Sequence, residues 1–341
     1  MSDPVPASID LSVLVFMPHH HSWLEPLLRA LRAQTKAQKL EVIVVVESRS
    51  AFNANEEVLR GFGRSILVEA PQAKSFIAAK LEGLRMATAP IVAFAEDHCF
   101  PEPAWAERLI EAHANDCVAV GPRVSDANPG TAMSRSLFTM HWGRWADDGF
   151  AHNVDCLPPH NTSYKRSVLM EHLTDLEDMF AVEAFFHTKL RQLGLNLRLE
   201  PAAVVRHCNM SKLGAWGAAS FYGGRLYGSM RVRYEKDTTA RRLVRGLSSP
   251  LVPFVRMKRE ASMGWATGGS LTDRAVTLIM VFIGLCIHSA GEAAGYFAGE
   301  GSAGAACADF ETSRFRDMRE DDLLSLRSAA SRRGLEPALM S

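Results

Sequence analysis

Along the first third of the chain, short uninterrupted apolar runs alternate with segments whose apolar residues recur every three or four positions. Leu11–Pro18 (LSVLVFMP) and Val42–Val46 (VIVVV) are continuous and rich in β-branched residues, the pattern of strands buried on both faces of a parallel sheet. Ser65–Val68, Ile91–Ala95 and Val118–Val120 read as further strands of the same sheet. Between them, Leu24, Leu27, Leu28 and Leu31 give one apolar face to a helix over Trp23–Gln34. Ser22 with Glu25 resembles a capping box there, although Pro26 would forfeit the first intrahelical bond. Ile77, Leu81 and Leu84 line a second helix over Lys74–Ala87, and Pro101 and Pro103 open a third in which Trp105, Leu109 and Ala112 share a face. Strand and helix in repeated alternation predict an open α/β sheet flanked by helices, with ligands at the carboxyl ends of its strands.

From about residue 231 the pattern changes. Arg231, Arg233, Lys236, Arg241, Arg242, Arg245, Arg256, Lys258 and Arg259 crowd around the apolar patch Leu247–Val255. Ala275–Gly291 then runs 17 residues without a formal charge if His288 is neutral. A bilayer crossing needs roughly 20 apolar residues, so a buried or interfacial helix and a marginal crossing stand level. The basic residues upstream suit the anionic cytoplasmic leaflet in either case, as a peripheral attachment or a single span. Residues 300–341 read as a Gly/Ala-rich linker followed by a solvated charged helix, Arg314–Arg333. Three regions are expected: a sheet domain over 1–230, a basic and apolar helical region over 231–299, and a charged tail over 300–341.

Charge and cysteine content narrow the class of protein. The 341 residues include 38 Lys and Arg against 38 Asp and Glu, so no global basic field points to nucleic acid. Six cysteines form no CxxC pair, which argues against a zinc ribbon or a disulfide scaffold and for a reducing compartment. The opening MSDPVPASID has no basic stretch followed by an apolar core, the pattern of a secretory leader. The segment after the first strand reads PHHHSW where a dinucleotide-dependent dehydrogenase would need GxGxxG.

The strand Ile91–Ala95 runs directly into Glu96-Asp97-His98 and then Cys99-Phe100-Pro101. Two acids and an imidazole at a strand's carboxyl end can hold a divalent cation that grips phosphate oxygens; an acidic turn capping the next helix is the other reading. His19-His20-His21 follows the first strand and reads as a loop near a bound nucleotide, since adjacent histidines project in different directions.

Taken in order, LSVLVFMP, LEVIVVVES, AAKLEGLRMATAPIVAFAEDHCFPEPAWAERL, the His160–Arg166 segment HNTSYKR, Glu183 through Gly194, and Val204-Val205-Arg206-His207 resemble the family 2 glycosyltransferases of the GT-A fold. The resemblance covers roughly residues 10–225 and implies a GT-A-like, mostly parallel sheet. It implies an inverting transfer of a sugar from a nucleoside-diphosphate donor to an acceptor hydroxyl on a glycan or lipid-linked molecule, as in cell-envelope polysaccharide synthesis. Under it, Pro18, Glu47, Lys80, Glu96 and Asp97 contact the nucleotide-sugar, and Asp97, His98 and His207 hold a divalent metal, Mn²⁺ or Mg²⁺. His160 and Asn161 face the acceptor, and Glu183 is the general base by register, eleven residues before Gly194, with Asp178 of the Glu177-Asp178 pair as the competing choice. The family's metal-binding DxD stands here as Glu96-Asp97-His98, and the imidazole shifts the expected ion toward Mn²⁺. The same departure supports an alternative, a non-catalytic nucleotide-sugar or glycan-binding protein that kept the fold.

Overall fold

The structure is a computed structural model that describes residues 8–17, 24–49, 56–73, 75–147, 149–266 and 270–332. Pro18, His19, His20, His21, Ser22 and Trp23 lie outside the described residues. In chain order the elements begin β1 (Leu11–Met17), α1 (Leu24–Arg32), β2 (Leu40–Val46), β3 (Arg64–Glu69), α2 (Phe76–Met86) and β4 (Ile91–Ala95). They continue with β5 (Cys99–Pro101), α3 (Trp105–Ala112), β6 (Ala119–Asp126), α4 (Ala132–His141), β7 (His152–Asn153), β8 (Ser163–Lys165), α5 (Arg166–Glu171), α6 (Leu173–Met179), α7 (Glu183–Gln192) and β9 (Leu197–His207). The remainder is helical: α8 (Leu213–Glu235), α9 (Thr239–Ser248), α10 (Val252–Ala266), α11 (Leu271–Ala298), α12 (Ala303–Thr312) and α13 (Glu320–Arg332).

The chain divides into two compact units, one drawn from Met1–Val124 and Asp148–Arg206 and the other from Ser125–Asp147 and His207–Ala329. The division is therefore not linear along the sequence.

Among the described residues the sheet has nine strands, in the order β3-β2-β1-β4-β8-β6-β9-β5 with β7 beside β9. β3, β2, β1 and β4 are parallel, with Leu11 opposite both Leu40 and Ile91. The uninterrupted runs follow from this placement, since β1, β2 and β4 are covered on both faces and every residue of β2 is buried. β8 reverses the direction, running antiparallel to β4 and to β6, so the sheet is mixed. The reversal comes from a three-residue strand, too short to leave a periodic signature. On the far edge, the Glu102 N–H donates to the Val204 carbonyl at 2.9 Å just beyond β5. The core of this unit includes Leu14, Ile43, Phe94, Tyr164, Phe180 and Phe186.

Several helices begin where side-chain chemistry starts them. Ser75 Oγ accepts the Ala78 N–H at 3.0 Å and starts α2, while Pro26 sits buried in the first turn of α1, the one place where its missing N–H costs little. The stretch Ser125–Asp155, irregular in sequence, contains α4: Thr131 Oγ1 caps the Ser134 N–H at 3.1 Å and Leu137, Phe138 and Met140 are buried. The expected linker after residue 300 is also shorter than its glycines suggest. Ala303–Thr312 is helical, consistent with the high helix propensity of its alanines. The charged helix of the tail starts at Glu320, after a 3-10 turn at Arg314–Asp317 in which Arg314 is buried and pairs with Glu311 at 2.8 Å.

In the second unit, the apolar helix is longer than its uncharged stretch. α11 spans 28 residues, started by a capping box of Ser270 and Asp273. By length and composition it could cross a membrane, with a mean hydropathy of 1.7 in its best window, 39% of which is buried. It packs against α8 through two glycine pairs, each four residues apart. A Cβ on Gly224 would stand 2.0 Å from the His288 carbonyl oxygen, and one on Gly291 would stand 2.0 Å from that of Phe221. Cβ atoms on Gly228 and Gly295 would stand 2.5 Å and 2.3 Å from the carbonyl oxygens of Glu292 and Arg225. Only glycine allows main chains to approach so nearly. Gly223, one position away on α8, faces open space. Gly224→Ala is therefore expected to cost about 1–3 kcal/mol by overpacking. Gly223→Ala should instead gain roughly 0.5–1 kcal/mol of helix propensity. Urea unfolding of the two variants beside the parent measures both signs.

Candidate active site

The carboxyl end of the parallel half of the sheet presents Glu47 directly beyond β2 and Glu96 directly beyond β4. Glu96, Asp97 and His98 are all buried, whereas Glu47 is exposed. His98 Nδ1 lies 3.0 Å from Asp97 Oδ1. An ionised carboxylate can only accept, so Nδ1 carries the proton and Asp97 fixes both tautomer and ring orientation. The other nitrogen, Nε2, then turns toward Glu96 Oε2 at 3.6 Å. Two electron-rich donors at that spacing suit a cation between them, so the chemistry of the turn fits a divalent metal.

The loop before β8 ties this turn to a second carboxylate. Asn161 Nδ2 donates to Glu96 Oε2 at 2.8 Å, and the neighbouring His160 N–H donates to Glu183 Oε1 at 2.9 Å. His160 adopts a left-handed backbone conformation, φ 62°, uncommon for a residue other than glycine and a frequent mark of functional sites. That turn also brings its ring Nδ1 within 3.2 Å of the same Glu183 oxygen. Lys80, buried on α2, places Nζ 3.4 Å from His160 Nδ1 and 4.2 Å from the centre of the Phe76 ring.

Glu183 opens α7 and is buried, and its second oxygen accepts from the Tyr164 hydroxyl at 3.3 Å. The acceptor-only carboxylate sets the direction of a longer chain of hydrogen bonds. Tyr164 gives its proton to Glu183 and so accepts from His187 Nε2 at 2.7 Å. His187 Nδ1 is then the acceptor for the Leu157 N–H and the Cys156 thiol, each at 3.4 Å. Burial alone would raise the Glu183 pKa, but the His160 bond and the His160 and Lys80 charges outweigh it and hold the carboxyl below its ordinary value. Burial and the Lys80 charge work against a charged His160, yet the Glu183 carboxylate lifts its pKa. Burial first, and then the Glu183 charge, push the Tyr164 phenol well above its usual value, so it stays a donor. The result is an ionised carboxylate with fixed orientation.

Residues 14–173 match the family described as Glycosyl transferase family 2. The chain carries a family 2 glycosyltransferase domain. Two curated relatives from Mycobacterium tuberculosis, strains CDC 1551 / Oshkosh and ATCC 25618 / H37Rv, are named pre-mycofactocin glycosyltransferase. Each is 25% identical over 270 residues, which is 76% of this chain and 55% of the relative, so the chain spans about half their length. A solved structure described as a mycobacterial protein aligns with a TM-score of 0.41 at 15% identity, over 66% of this chain and 75% of that one.

In the glycosyltransferase domain, Lys80, Glu96, Asp97, His98, His160, Asn161 and Glu183 are joined by the contacts above. Asp178 is exposed on α6. Pro18 falls outside the described residues, as does the histidine run beside it. His207 ends β9, with Nδ1 3.1 Å from Asn209 Oδ1 and its ring 4.3 Å from that of Trp142. Asn209 is held in turn by Asp126 Oδ1 at 2.9 Å and Asn128 Oδ1 at 2.7 Å.

Sequence reasoning missed Tyr164, His187 and Cys156. His187 lies four residues beyond Glu183 on α7, a spacing that puts the two on one helix face, and that signal was available. Nothing in the sequence marked Tyr164 or Cys156, which reach the network only through the folding of the loop before β8.

Proposed function

We propose that this glycosyltransferase inverts the anomeric centre of a nucleoside-diphosphate sugar, with Glu183 as general base. As the acceptor hydroxyl oxygen bonds to the anomeric carbon, Glu183 takes its proton and the bond to the diphosphate oxygen breaks, leaving its electron pair on the diphosphate. What supports this most is the His160-Asn161 dipeptide, whose two members bind the two carboxylates, Glu183 and Glu96. Base and phosphate-facing turn are thereby linked through adjacent residues. Lys80 supplies fixed positive charge beside them, suited to the departing diphosphate.

Glu96 and His98 are the carboxylate and imidazole proposed to hold a divalent cation, Mn²⁺ in preference to Mg²⁺. When bound, such an ion neutralises charge on the diphosphate. Asp97 acts by orienting His98, and Glu47 and Pro18 are proposed for the nucleotide. Asn161 fixes Glu96 and, with His160, borders the acceptor. The relatives are named pre-mycofactocin glycosyltransferase; for this chain the proposed acceptor is a glycan or lipid-linked molecule met at the cytoplasmic face of a membrane, in cell-envelope polysaccharide assembly.

The test is release of nucleoside diphosphate from a panel of nucleotide-sugars, with Mn²⁺ present and membrane lipid or glycan extracts as acceptors. One donor is expected to turn over with inversion, read by NMR of the new linkage. Retention at the anomeric carbon, or tight donor binding with no diphosphate released by any donor, would overturn the proposal.

A further inference from the structure

Resting on the membrane-surface reading above but not on the sugar chemistry, we infer that α9, the 3-10 turn after it and α10 form a docking face for an anionic lipid bilayer. The face lies in the headgroup region and does not cross. Leu243, Val244, Leu247, Leu251, Phe254 and Val255 recur at helical spacing along these elements and are all exposed, Leu247 by 74% and Val255 by 75%. The opposite side of α9 is fixed in place. Gly246 is pressed against the Phe297 ring, and Arg242 donates to the carbonyls of Tyr296 at 2.9 Å and Phe297 at 3.3 Å. Phe254 meets Phe282 of α11 edge-on, with ring centres 5.5 Å apart, which seats α10 against α11. The apolar stripe is thus held outward by a packed support, and monomeric proteins seldom expose so many large apolar side chains together.

Charge selects the occupant. Residues 231–259 contain nine Lys and Arg against two Asp and Glu, in a chain whose formal net charge is zero, so the rest of the chain is net negative. Several of these cations are paired within the fold, Arg231 and Arg245 with Glu235 and Arg256 and Arg259 with Glu260, while Lys236, Arg241 and Lys258 are exposed around the apolar stripe in sequence, a pattern that matches an interface helix on anionic lipid. A second copy of this chain would set two cationic faces against each other. A crossing by α11 fits less well, because its inner side holds His288 and Glu292, 3.2 Å apart, and is closed against α8 by the glycine contacts. That packing belongs to a helix bundle resting on the membrane.

The experiment is co-sedimentation of the full chain with vesicles of phosphatidylcholine alone or mixed with phosphatidylglycerol. Binding to the mixed vesicles only, and release by alkaline carbonate, are expected. The double variant Leu247→Ser, Leu251→Ser changes side chains that are already exposed, so circular dichroism and Tm should match the parent. Its vesicle affinity should fall about a hundred-fold, from two leucines no longer buried in lipid. Lys258→Gln with Arg241→Gln should weaken binding at low salt and matter little at high salt. Parent-like binding by the leucine variant, absence of binding to anionic vesicles, or carbonate resistance would overturn the inference. So would a dimer in light scattering that the leucine variant dissolves, which would assign the face to a second copy. Donor turnover in vesicle-free buffer is read separately, so a failure here leaves the sugar transfer standing, and the reverse.

Discussion

Glu183→Gln is expected to lower kcat by roughly 10²–10⁴-fold while leaving donor affinity nearly unchanged, the signature of a general base lost from the transition state only. The amide keeps the size of the carboxyl and can still accept the His160 N–H, so the loop before β8 stays in place. Isothermal titration with the donor separates binding from turnover. The pH profile provides a second reading. A base works when deprotonated, and Glu183 is held below its ordinary value of 4.5, against burial, by the His160 bond and the His160 and Lys80 charges. The acid limb of kcat should therefore lie below that value. Lys80→Met removes one of the charges that stabilise the anion, so its limb should move toward higher pH. An acid limb that stays put in Lys80→Met, or wild-type kcat in Glu183→Gln, would remove Glu183 from the role.

The network explains how the Glu183 carboxylate stays ionised while buried. A carboxylate buried among Phe180, Phe186 and Tyr164 would ordinarily take up a proton, because burial penalises the charged form. Here the donors come from the left-handed turn at His160 and from the directed chain Cys156, His187, Tyr164. The orientation of that chain follows from one fact, that an ionised carboxyl has no proton to give. Such preorganisation favours proton abstraction over solvent exchange, although every donor that stabilises the anion also reduces its basicity. The strained backbone at His160 is the means by which one residue supplies both a main-chain and a ring donor to a single oxygen.

How much of this was legible depended on whether position in sequence fixes position in space. β1, β2 and β4 were readable because strands covered on both faces must be apolar throughout, and their ends then located Glu47 and Glu96. Glu183 was singled out by register, eleven residues before Gly194, and it opens α7, on which Phe186 and Leu190 are buried while Leu193 is exposed. The antiparallel β8 left no pattern, and neither did the partners that reach Glu183 from it. The direction of the Asp97 side chain is a torsional choice made by the fold, and no sequence pattern expresses whether a carboxylate meets a cation or the imidazole beside it. The glycine pairs of α8 and α11 were visible as spacings, at 224 and 228 and at 291 and 295, but their meaning emerges only when the two helices are seen in contact.

Removing divalent cations is expected to stop turnover, and the variant His98→Asp is expected to change which ion restores it. Imidazole is a borderline donor that suits Mn²⁺ better than Mg²⁺, which prefers oxygen in a near-ideal octahedron. With His98 present, Mn²⁺ should therefore support faster turnover than Mg²⁺ after chelation. His98→Asp offers oxygen in its place, and the ratio of the two rates should move toward Mg²⁺. Asp97 supplies the control, because its Oδ1 accepts the Nδ1 proton of His98 at 3.0 Å and acts through that ring. Asp97→Ala should weaken Mn²⁺ affinity by about 10–100-fold, the usual cost of losing a partner that orients a metal ligand. Asp97→Asn keeps an accepting oxygen and should lose less. Mn²⁺ titration followed by electron paramagnetic resonance reads these affinities without turnover, so an inactive variant still reports. Equal Mn²⁺ affinity in the parent and His98→Ala would mean the ion is held elsewhere, and the acidic turn would then act as a hydrogen-bonding wall for the diphosphate.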